Sequence, residues 1–388
     1  MLSQSKVQCW TAEPFCRGES AIETDDHTLA VVEIDVKDRR YGHFVASNPK
    51  ALVFHHSGWL SSLQAEYDTG LVVLGCENRN GELVGVLPLL RTRGIPLRIG
   101  AQQTGRRFSS LPRTPLAGPL FTSEDAGKLL LQEAANRARA ERAQLQIKAR
   151  DQLPATAVGE LVCTNWRPTY VLEIPERRED LRFGDARTRH NLKWGVKKAE
   201  QNGITVRLAK NESEVIAWYS LYLEAMRRNC VPPRPLRLFV AMWRNLASQG
   251  IMRLHLAEQA YRQRLVAGSI FLTFGDTIWY AFTGIADRDL TLHANDLILW
   301  HAIHAACGSG VRCFNFGEVS EDHPELVRFK TKWGARAMEQ YRYYSSDPAP
   351  QNNGSKSKGR AMHFANKVWQ RLPLRITQQL GDLIYSRL

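Results

Sequence analysis

At 388 residues with 44% hydrophobic content, the chain is long enough for more than one compact core and ordinary enough in composition to be globular. Its formal net charge of +13 favours anionic partners such as phosphates, nucleic acid or a lipid surface. The seven cysteines are odd in number and contain no CxxC pair, which argues against a disulfide framework or a structural zinc site and for a reducing compartment.

The first residues, MLSQSKVQCWTAEPF, lack the charged start and apolar core of a signal peptide. No apolar run approaches the ~18 residues a membrane span needs. The expectation is a soluble, cytoplasmic protein. Residues 1–27 are polar and irregular and are expected to form a loosely attached lead. A strand is expected over 29–36 and a helical region over 44–63, with Ser57 of FHHSGW as a helix cap. His55 and His56 find no third ligand at metal spacing, so they are expected to be packed or solvated, and no metal site is expected.

Residues 71–76 and 83–90 form two apolar strands around ENRNGE, where Asn80-Gly81 signals a hairpin because both residues tolerate positive φ. A Pro- and Gly-rich loop over 112–119 precedes a long helix over 123–149, whose last residues, LQIKAR, suit a strand as well. A similar block returns later. Strands over 252–258 and 265–274 repeat the hairpin, and ELVGVLPLL at 82–90 compares with RLVAGSIFL at 264–272. A third strand over 277–284 follows the Gly275-Asp276 turn, then a helix over 295–307 capped by Asn295 or Asp296 and stopped at Gly308. Repetition of one α/β block predicts two similar domains.

Between the blocks lies DARTRHNLKWGVKKAEQNG, residues 185–203, a helix with Asp185 as its cap and Gly203 as its end. Arg187, Asn191, Trp194 and Lys198 share one stripe, and Arg189, Lys193 and Lys197 share another. Residues 182–210 hold eight Lys/Arg against two acids, so an anion-binding helix is expected. A second helix over 212–228 leads into CVPPRPLR, residues 230–237, which suits a substrate loop containing Arg237 or a plain rigid turn. Near the C-terminus, DPAPQNNGSKSKGR (347–360) has the composition of a flexible linker. The basic, amphipathic helix over 361–388 is broken at Pro373; it is expected to pack on the body, bridge subunits or lie on anionic lipid.

The stretch VRCFNFGEVSEDHPELVRFKTKWG, residues 311–334, organises the chain. A buried strand over 311–316 ends at Gly317-Glu318, and Lys330 follows about a dozen residues later. A carboxylate and a lysine facing one cleft can move a proton and hold a developing oxyanion, with Glu318 as general base or amine-orienting group. His304 and Cys307, three apart on one helix, are expected to belong to a buried face. No GxSxG elbow, HExxH, P-loop or dinucleotide fingerprint is present.

Taken in order, RTRHNLKWGVKKAEQNG (187–203), LVAGSIFLTFGDTIWYAFTG (265–284) and the tract from Asn295 through FNFGE (314–318) to FKTKWG (329–334) resemble the FemAB-like branch of the GNAT acyltransferase superfamily. The best-known members of that branch add amino acids to peptidoglycan precursors. The resemblance covers roughly residues 30–345. It implies an α/β (α+β) fold of tandem GNAT domains with mixed central sheets, the first over 28–165 and the second, with the active cleft, over 166–346. It implies attack of an amine on an activated acyl group, with the acyl donor bound by splayed central strands, for which the strands of the Gly275 hairpin are the candidates. Lys330 would stabilise the carbonyl oxygen and Phe329 would line the pocket. Arg187, Arg189, Asn191, Lys193, Lys197, Lys198, Arg237, Arg288 and Asn295 would bind substrate.

No bound cofactor is expected; acyl-CoA or aminoacyl-tRNA is the possible co-substrate. Enzymes of this superfamily that use acyl-CoA cradle its pyrophosphate in a glycine-rich loop before a helix. Here that place reads RDLTLHAND, residues 288–296, without glycine, and the donor stays open. The acceptor is expected to be a small-molecule or lipid-linked amine of a cell-envelope precursor, with peripheral inner-membrane contact through 361–388 and no DNA partner. The competing expectation is a non-catalytic basic protein that binds anionic lipid or nucleic acid.

Overall fold

The computed structural model describes residues 29–67, 70–92, 106–345 and 356–387. The expected lead over 1–27 and most of the expected linker lie outside the described residues. In chain order the first lobe contains β1 (Ala30–Ile34), α1 (Arg39–Ser47), α2 (Ser57–Glu66), β2 (Leu71–Glu77), β3 (Leu83–Thr92), β4 (Arg107–Ser109), β5 (Leu120–Phe121), α3 (Glu124–Ala140), β6 (Gln144–Ala149), α4 (Ala155–Val158) and β7 (Val162–Asn165). The second contains β8 (Thr169–Glu173), α5 (Ala186–Gln201), β9 (Ile204–Leu208), α6 (Glu212–Arg228), α7 (Leu236–Met242), β10 (Met252–Gln259), β11 (Arg264–Phe274), β12 (Thr277–Ile285), α8 (Ala294–Ala306), β13 (Cys313–Glu318), α9 (Pro324–Thr331) and β14 (Arg336–Met338). Then follow β15 (Tyr341–Tyr344), α10 (Lys356–Arg371) and α11 (Leu374–Arg387).

Two mixed sheets result. The first runs β1-β2-β3-β4-β6-β15-β7, with β5 on β3, and the second runs β14-β8-β13-β12-β11-β10-β9. The succession β1, α1, α2, β2, β3, β4, α3, β6 is repeated by β9, α6, α7, β10, β11, β12, α8, β13, with strands in the same spatial order. The pair of similar segments at 82–90 and 264–272 falls on β3 and β11, equivalent strands of the two halves. Each sheet has one parallel pair, β4 with β6 and β12 with β13, because in each a helix carries the chain over the sheet between the two strands.

A two-stranded ribbon joins the sheets. β15 pairs with β7 in the first sheet and β14 pairs with β8 in the second, so both strands of the ribbon pass from one sheet to the other. β15 therefore lies in the first sheet although it follows the whole of the second lobe in sequence. At the waist between the sheets, Trp166 donates its N–H to the Gln340 carbonyl at 2.8 Å.

One apolar core fills the space between the lobes, from Trp59 and Leu63 to Trp218, Phe239 and Tyr385. A second lies under α5 and α8, and a third under α3. Arg234 of the proline-rich loop is buried in a bidentate ion pair with Glu66 of α2, at 2.5 and 2.8 Å. That loop is a strut between lobes. The C-terminal helices pack on the body: Tyr385 and Thr377 are buried, and Gly381 leaves no room for a Cβ, which would run into the Pro233 carbonyl.

Several local expectations need correction. α2 is capped by His56, whose Nδ1 accepts from the Gly58 N–H, and Ser57 is its first residue. α8 begins after His293, which sits at φ 55° and caps with no side chain, because the Asn295 and Asp296 side chains are engaged elsewhere. The helix expected over 123–149 stops at Ala140, and Gln144–Ala149 is the strand β6. The tail helix starts at Lys356, inside the segment expected to be linker. At the 78–82 turn only Gly81 takes positive φ, at 74°.

Candidate active site

β12 and β13 are held in parallel register only from Thr277–Trp279 against Cys313–Asn315. Beyond that the two strands part. β12 carries a register shift at Ile270/Phe271 against Phe282/Tyr280, and β13 one against β8 between Asn315 and Glu318. Such irregularities bend strands and interrupt their ladders. The splayed pair is thus β12 with β13, not the two strands of the Gly275 hairpin, β11 and β12, which remain paired along their length.

At the mouth of the splay the chain turns through Gly317, at φ 78°, a conformation that glycine adopts without the Cβ penalty. A Cβ built there would find only the Lys330 Nζ within 4 Å, at 4.0 Å, so the space in front of Gly317 is open. Lys330 arrives from the last turn of α9. Its Nζ donates to the Gly317 carbonyl at 2.6 Å and to the Glu318 carbonyl at 3.2 Å, and lies 5.6 Å from the centre of the Tyr170 ring. Two of the ammonium's three protons are so used, and one is left for a ligand oxygen. Lys330 is 7% exposed, and burial lowers its pKa to about 8, against the opposing pull of Glu318.

Glu318 closes β13 and points to the waist. Its Oε2 accepts from Trp166 Nε1 and from Arg342 Nη2, both at 3.1 Å. Oε1 carries no hydrogen bond among the described residues and is free to accept a proton. Glu318 and Lys330 therefore share one site, but the lysine touches the backbone of Glu318 rather than its carboxylate.

The other residues singled out in the sequence scatter over three places. Phe329 packs its ring against Phe316 of β13, 6.5 Å between centres, and lines a cleft of about 710 Å³ between α5, α8 and α9. Asn191 and Trp194 line the same cleft, and Lys198 lies 4.7 Å from the Trp194 ring. Arg187, Arg189, Lys193 and Lys197 are exposed on α5 and do not line that cleft. Asn295 points inward, its Oδ1 accepting from the hydroxyls of Tyr280 and Ser269 at 3.0 and 3.3 Å. Arg237 closes the end of α2 by donating to the carbonyls of Ala65 and Glu66. Arg288 is exposed, 3.8 Å from Asp289. Neither Asn295, Arg237 nor Arg288 joins Lys330.

The start of α8 has a feature the sequence did not single out. Asp296, in the first turn, accepts from Lys332 Nζ at 2.7 Å and lies 3.3 Å from the His293 ring. α5 crosses closely at Gly195, where a Cβ would come within 3.2 Å of His293 and 3.3 Å of Asp296. The helix N-terminus thus already carries a carboxylate. Trp166, Lys148, Gln340 and Arg342 were also missed. In RAMEQYRYY and QLQIKA, alternating polar residues look like an ordinary solvent face, and nothing local says that the face is covered by a second lobe.

Residues 186–330 match the family model described as the acetyltransferase (GNAT) domain. That stretch is a GNAT-type domain. Among solved structures, FemX aligns over 81% of this chain and 96% of its own at 16% identity, with a TM-score of 0.57. L-PGS from Bacillus licheniformis aligns over 87% and 98%, at 10% identity and a TM-score of 0.54. A conserved protein of unknown function from Bacteroides thetaiotaomicron aligns over 82% and 99%, at 14% and 0.55. No curated protein matches the chain. The likeness to the three structures is one of fold, and it spans both lobes of this α/β tandem arrangement.

Proposed function

We propose that the enzyme transfers an activated acyl or aminoacyl group onto an amine of a cell-envelope precursor, a polysaccharide, peptidoglycan-like or lipid-linked molecule, in the crevice in front of Gly317. The observation that carries the reading is Lys330, a buried ammonium fixed by two backbone carbonyls at the open end of a splayed strand pair. The amine nitrogen attacks the acyl carbon and the C–N bond forms. The carbonyl oxygen gains negative charge beside the remaining Lys330 proton, where a charge-assisted hydrogen bond in a water-poor site is strongest. The amine's proton passes to Glu318 Oε1. Collapse of the tetrahedral intermediate breaks the bond to the leaving group, the thiolate of a thioester or the hydroxyl oxygen of an aminoacyl ester.

The donor side favours aminoacyl-tRNA over acyl-CoA. A pyrophosphate at the start of α8 would meet the Asp296 carboxylate and the close passage of α5 at Gly195. The outer face of α5 offers a different anion site, with Arg187, Arg189, Lys193 and Lys197 exposed beside the half-exposed ring of Trp194. Cations that follow a phosphate backbone and an aromatic face for a base are what a single-stranded 3′ end requires.

The C-terminal helices favour a membrane-proximal acceptor. Val368, Ile376 and Leu383 are exposed there, among the exposed basic residues Lys367, Arg371 and Arg375. No helix among the described residues is long and apolar enough to cross a membrane, so contact would be peripheral.

The deciding experiment incubates the protein with envelope extracts and either mixed aminoacyl-tRNA or acetyl-CoA, and follows mass gain on amine-bearing species. Aminoacylated products that vanish with Lys330→Ala are expected. Products formed equally well by the variant would remove the catalytic assignment, and acetylated products alone would move the donor to acyl-CoA.

A further inference from the structure

A guanidinium of the first lobe's sheet reaches the waist and meets a carboxylate of the second lobe there. Arg342 on β15 stands between Lys148 of β6 and Thr164 of β7 in the register, inside the first sheet. Lys148 commits its ammonium to the carbonyls of Leu111 and Thr114, at 2.5 and 2.8 Å. Arg342 is 3% exposed, and among the described residues its ion pair is with Glu318, at 3.1 Å. Its guanidinium lies 4.5 Å from the centre of the Trp166 ring, whose Nε1 donates to the same carboxylate oxygen. Trp166 is itself tied to the ribbon, because its backbone N–H donates to the Gln340 carbonyl.

Glu318 is thus held from two sides. Its carbonyl accepts from Lys330 Nζ at 3.2 Å, a bond within the second lobe. Its Oε2 accepts one bond from the β7–β8 connection and one from β15. Two donors on one oxygen fix where a carboxylate lies, the more so when one of them is charged. An ammonium 3.2 Å from the Glu318 carbonyl is within reach of that residue's own side chain. A carboxylate released from the waist would close on it, since opposite charges attract far more strongly in a buried site than in water. Such an ion pair would use up the third Lys330 proton and the free Oε1 together.

We infer that Arg342, with Trp166, is a positioning residue that holds the Glu318 carboxylate off Lys330, so that the ammonium keeps a proton for a carbonyl oxygen and Oε1 stays open to the amine. The first lobe then takes part in the site of the second through one guanidinium. The effect on rate rests on the acyl-transfer reading; the placement of the two charges does not. Few groups face Lys330: Tyr170 from β8 and Glu318 from β13, while Glu325, Arg328 and Lys332 line the cleft beside α5. Removing the guanidinium lets the carboxylate meet the ammonium, which favours the charged lysine and raises its pKa from about 8.

The test follows the Lys330 ammonium by NMR of side-chain 15N-labelled lysine across pH, with neither donor nor acceptor present. Its signal is identified by its loss in Lys330→Arg. The intact protein is expected to titrate near 8. In Arg342→Met the midpoint is expected to rise by about 1–3 pH units, the effect of an opposite charge at contact. Adding Glu318→Gln should return it to the midpoint of Glu318→Gln alone, which a general loosening of the fold would not do. In transfer assays Arg342→Met is expected to lose about 10–100-fold in kcat with KM within about threefold, and Arg342→Lys to recover part of the loss. Should Arg342→Met fail to fold, Trp166→Phe, which removes one bond to Oε2 and keeps a ring, is expected to move the midpoint the same way by a smaller step. A midpoint unmoved in folded Arg342→Met, or in Trp166→Phe where that stands in for it, would overturn the inference. A midpoint that rises while kcat stays unchanged would uphold the placement and remove Lys330 and Glu318 from the chemistry, so the two failures are told apart.

Discussion

In the first lobe β4 and β6 part after Ser109 and Gln146, and the chain's own residues 110–119 fill the gap. Ser110 bonds back to β6, its hydroxyl accepts from the Lys148 N–H, and Leu111, Leu116 and Ala117 are buried there. In the second lobe β12 and β13 part at the equivalent place, and the gap stays open in front of Gly317. Aligning the two registers puts Lys148 opposite Gly317, two residues past the last paired position in each. Where the first lobe has a lysine on the strand itself, holding its own loop shut, the second has a glycine. Its cation comes from α9, as Lys330. One of the two equivalent openings is plugged, and the other is open. The plug is not strain-free: Leu111 and Arg113 sit at φ 58° and 53°, which costs an L-residue about 1–2 kcal/mol each.

If that contrast is right, the largest single effect comes from the cation of the open gap. Lys330→Ala is expected to lower kcat by about 10²–10³-fold, the loss typical of one oxyanion donor, with near-normal folding. The same side chain sets a pH limit. Its charged form does the work and prevails below about 8, so transfer should fall as pH rises through that value. Lys330→Arg, which stays charged, should remove the falling limb even if its rate is lower. Stability runs the other way. The folded pKa lies below the unfolded one, so the fold disfavours the ammonium, a cost fully present below about 8 and relieved as pH climbs toward the unfolded value. Lys330→Met should therefore unfold at higher denaturant at neutral pH, by on the order of 2 kcal/mol. A variant both less stable and fully active would break the comparison.

Two glycines test the two gaps separately. Gly118 lies against β6 in the plugged lobe, and a Cβ would meet the Lys148 carbonyl at 2.7 Å, backbone against backbone. Gly118→Ala is expected to cost about 2 kcal/mol in stability with kcat little changed. Gly317→Ala meets no clash but must hold φ 78°, so about 1 kcal/mol of strain is expected together with a drop in kcat. Equal effects on activity would mean that the two openings are not functionally distinct.

The sequence discloses the two halves unevenly, and the reason is physical. β10 to β13 are long or aromatic-rich, with a glycine turn between β11 and β12, and β3 matches β11 well enough to reveal the duplication. β4 is three residues long, and no period can be read from three residues. The pairing of Lys330 with the end of β13 was visible because both lie in one short tract. The partners of Glu318 were not, because Trp166 and Arg342 come from the ribbon, and only the crossing of that ribbon between sheets brings them to the waist. Asp296 suits a helix cap by its position; its bond to Lys332 depends on where α9 lands.

The smallest effect expected is on the far side of the open lobe, and it decides whether the cleft beside Phe329 serves the donor. Trp194 is 51% exposed on α5, held by the edge of His293 at 5.2 Å and by Lys198 at 4.7 Å. Removing an exposed ring costs the fold little, and one stacked base is worth about 1–3 kcal/mol by alanine substitution. Trp194→Ala should therefore raise the KM for an aminoacyl-tRNA donor by roughly fivefold or more while leaving kcat within about twofold, the signature of lost ground-state binding. Reversing exposed charges at Lys193 and Lys197 should act in the same direction and fade as salt is raised, since screening weakens contacts to phosphates. If kcat falls and KM does not, Trp194 acts on the chemistry, and the basic face of α5 is not where the donor is held.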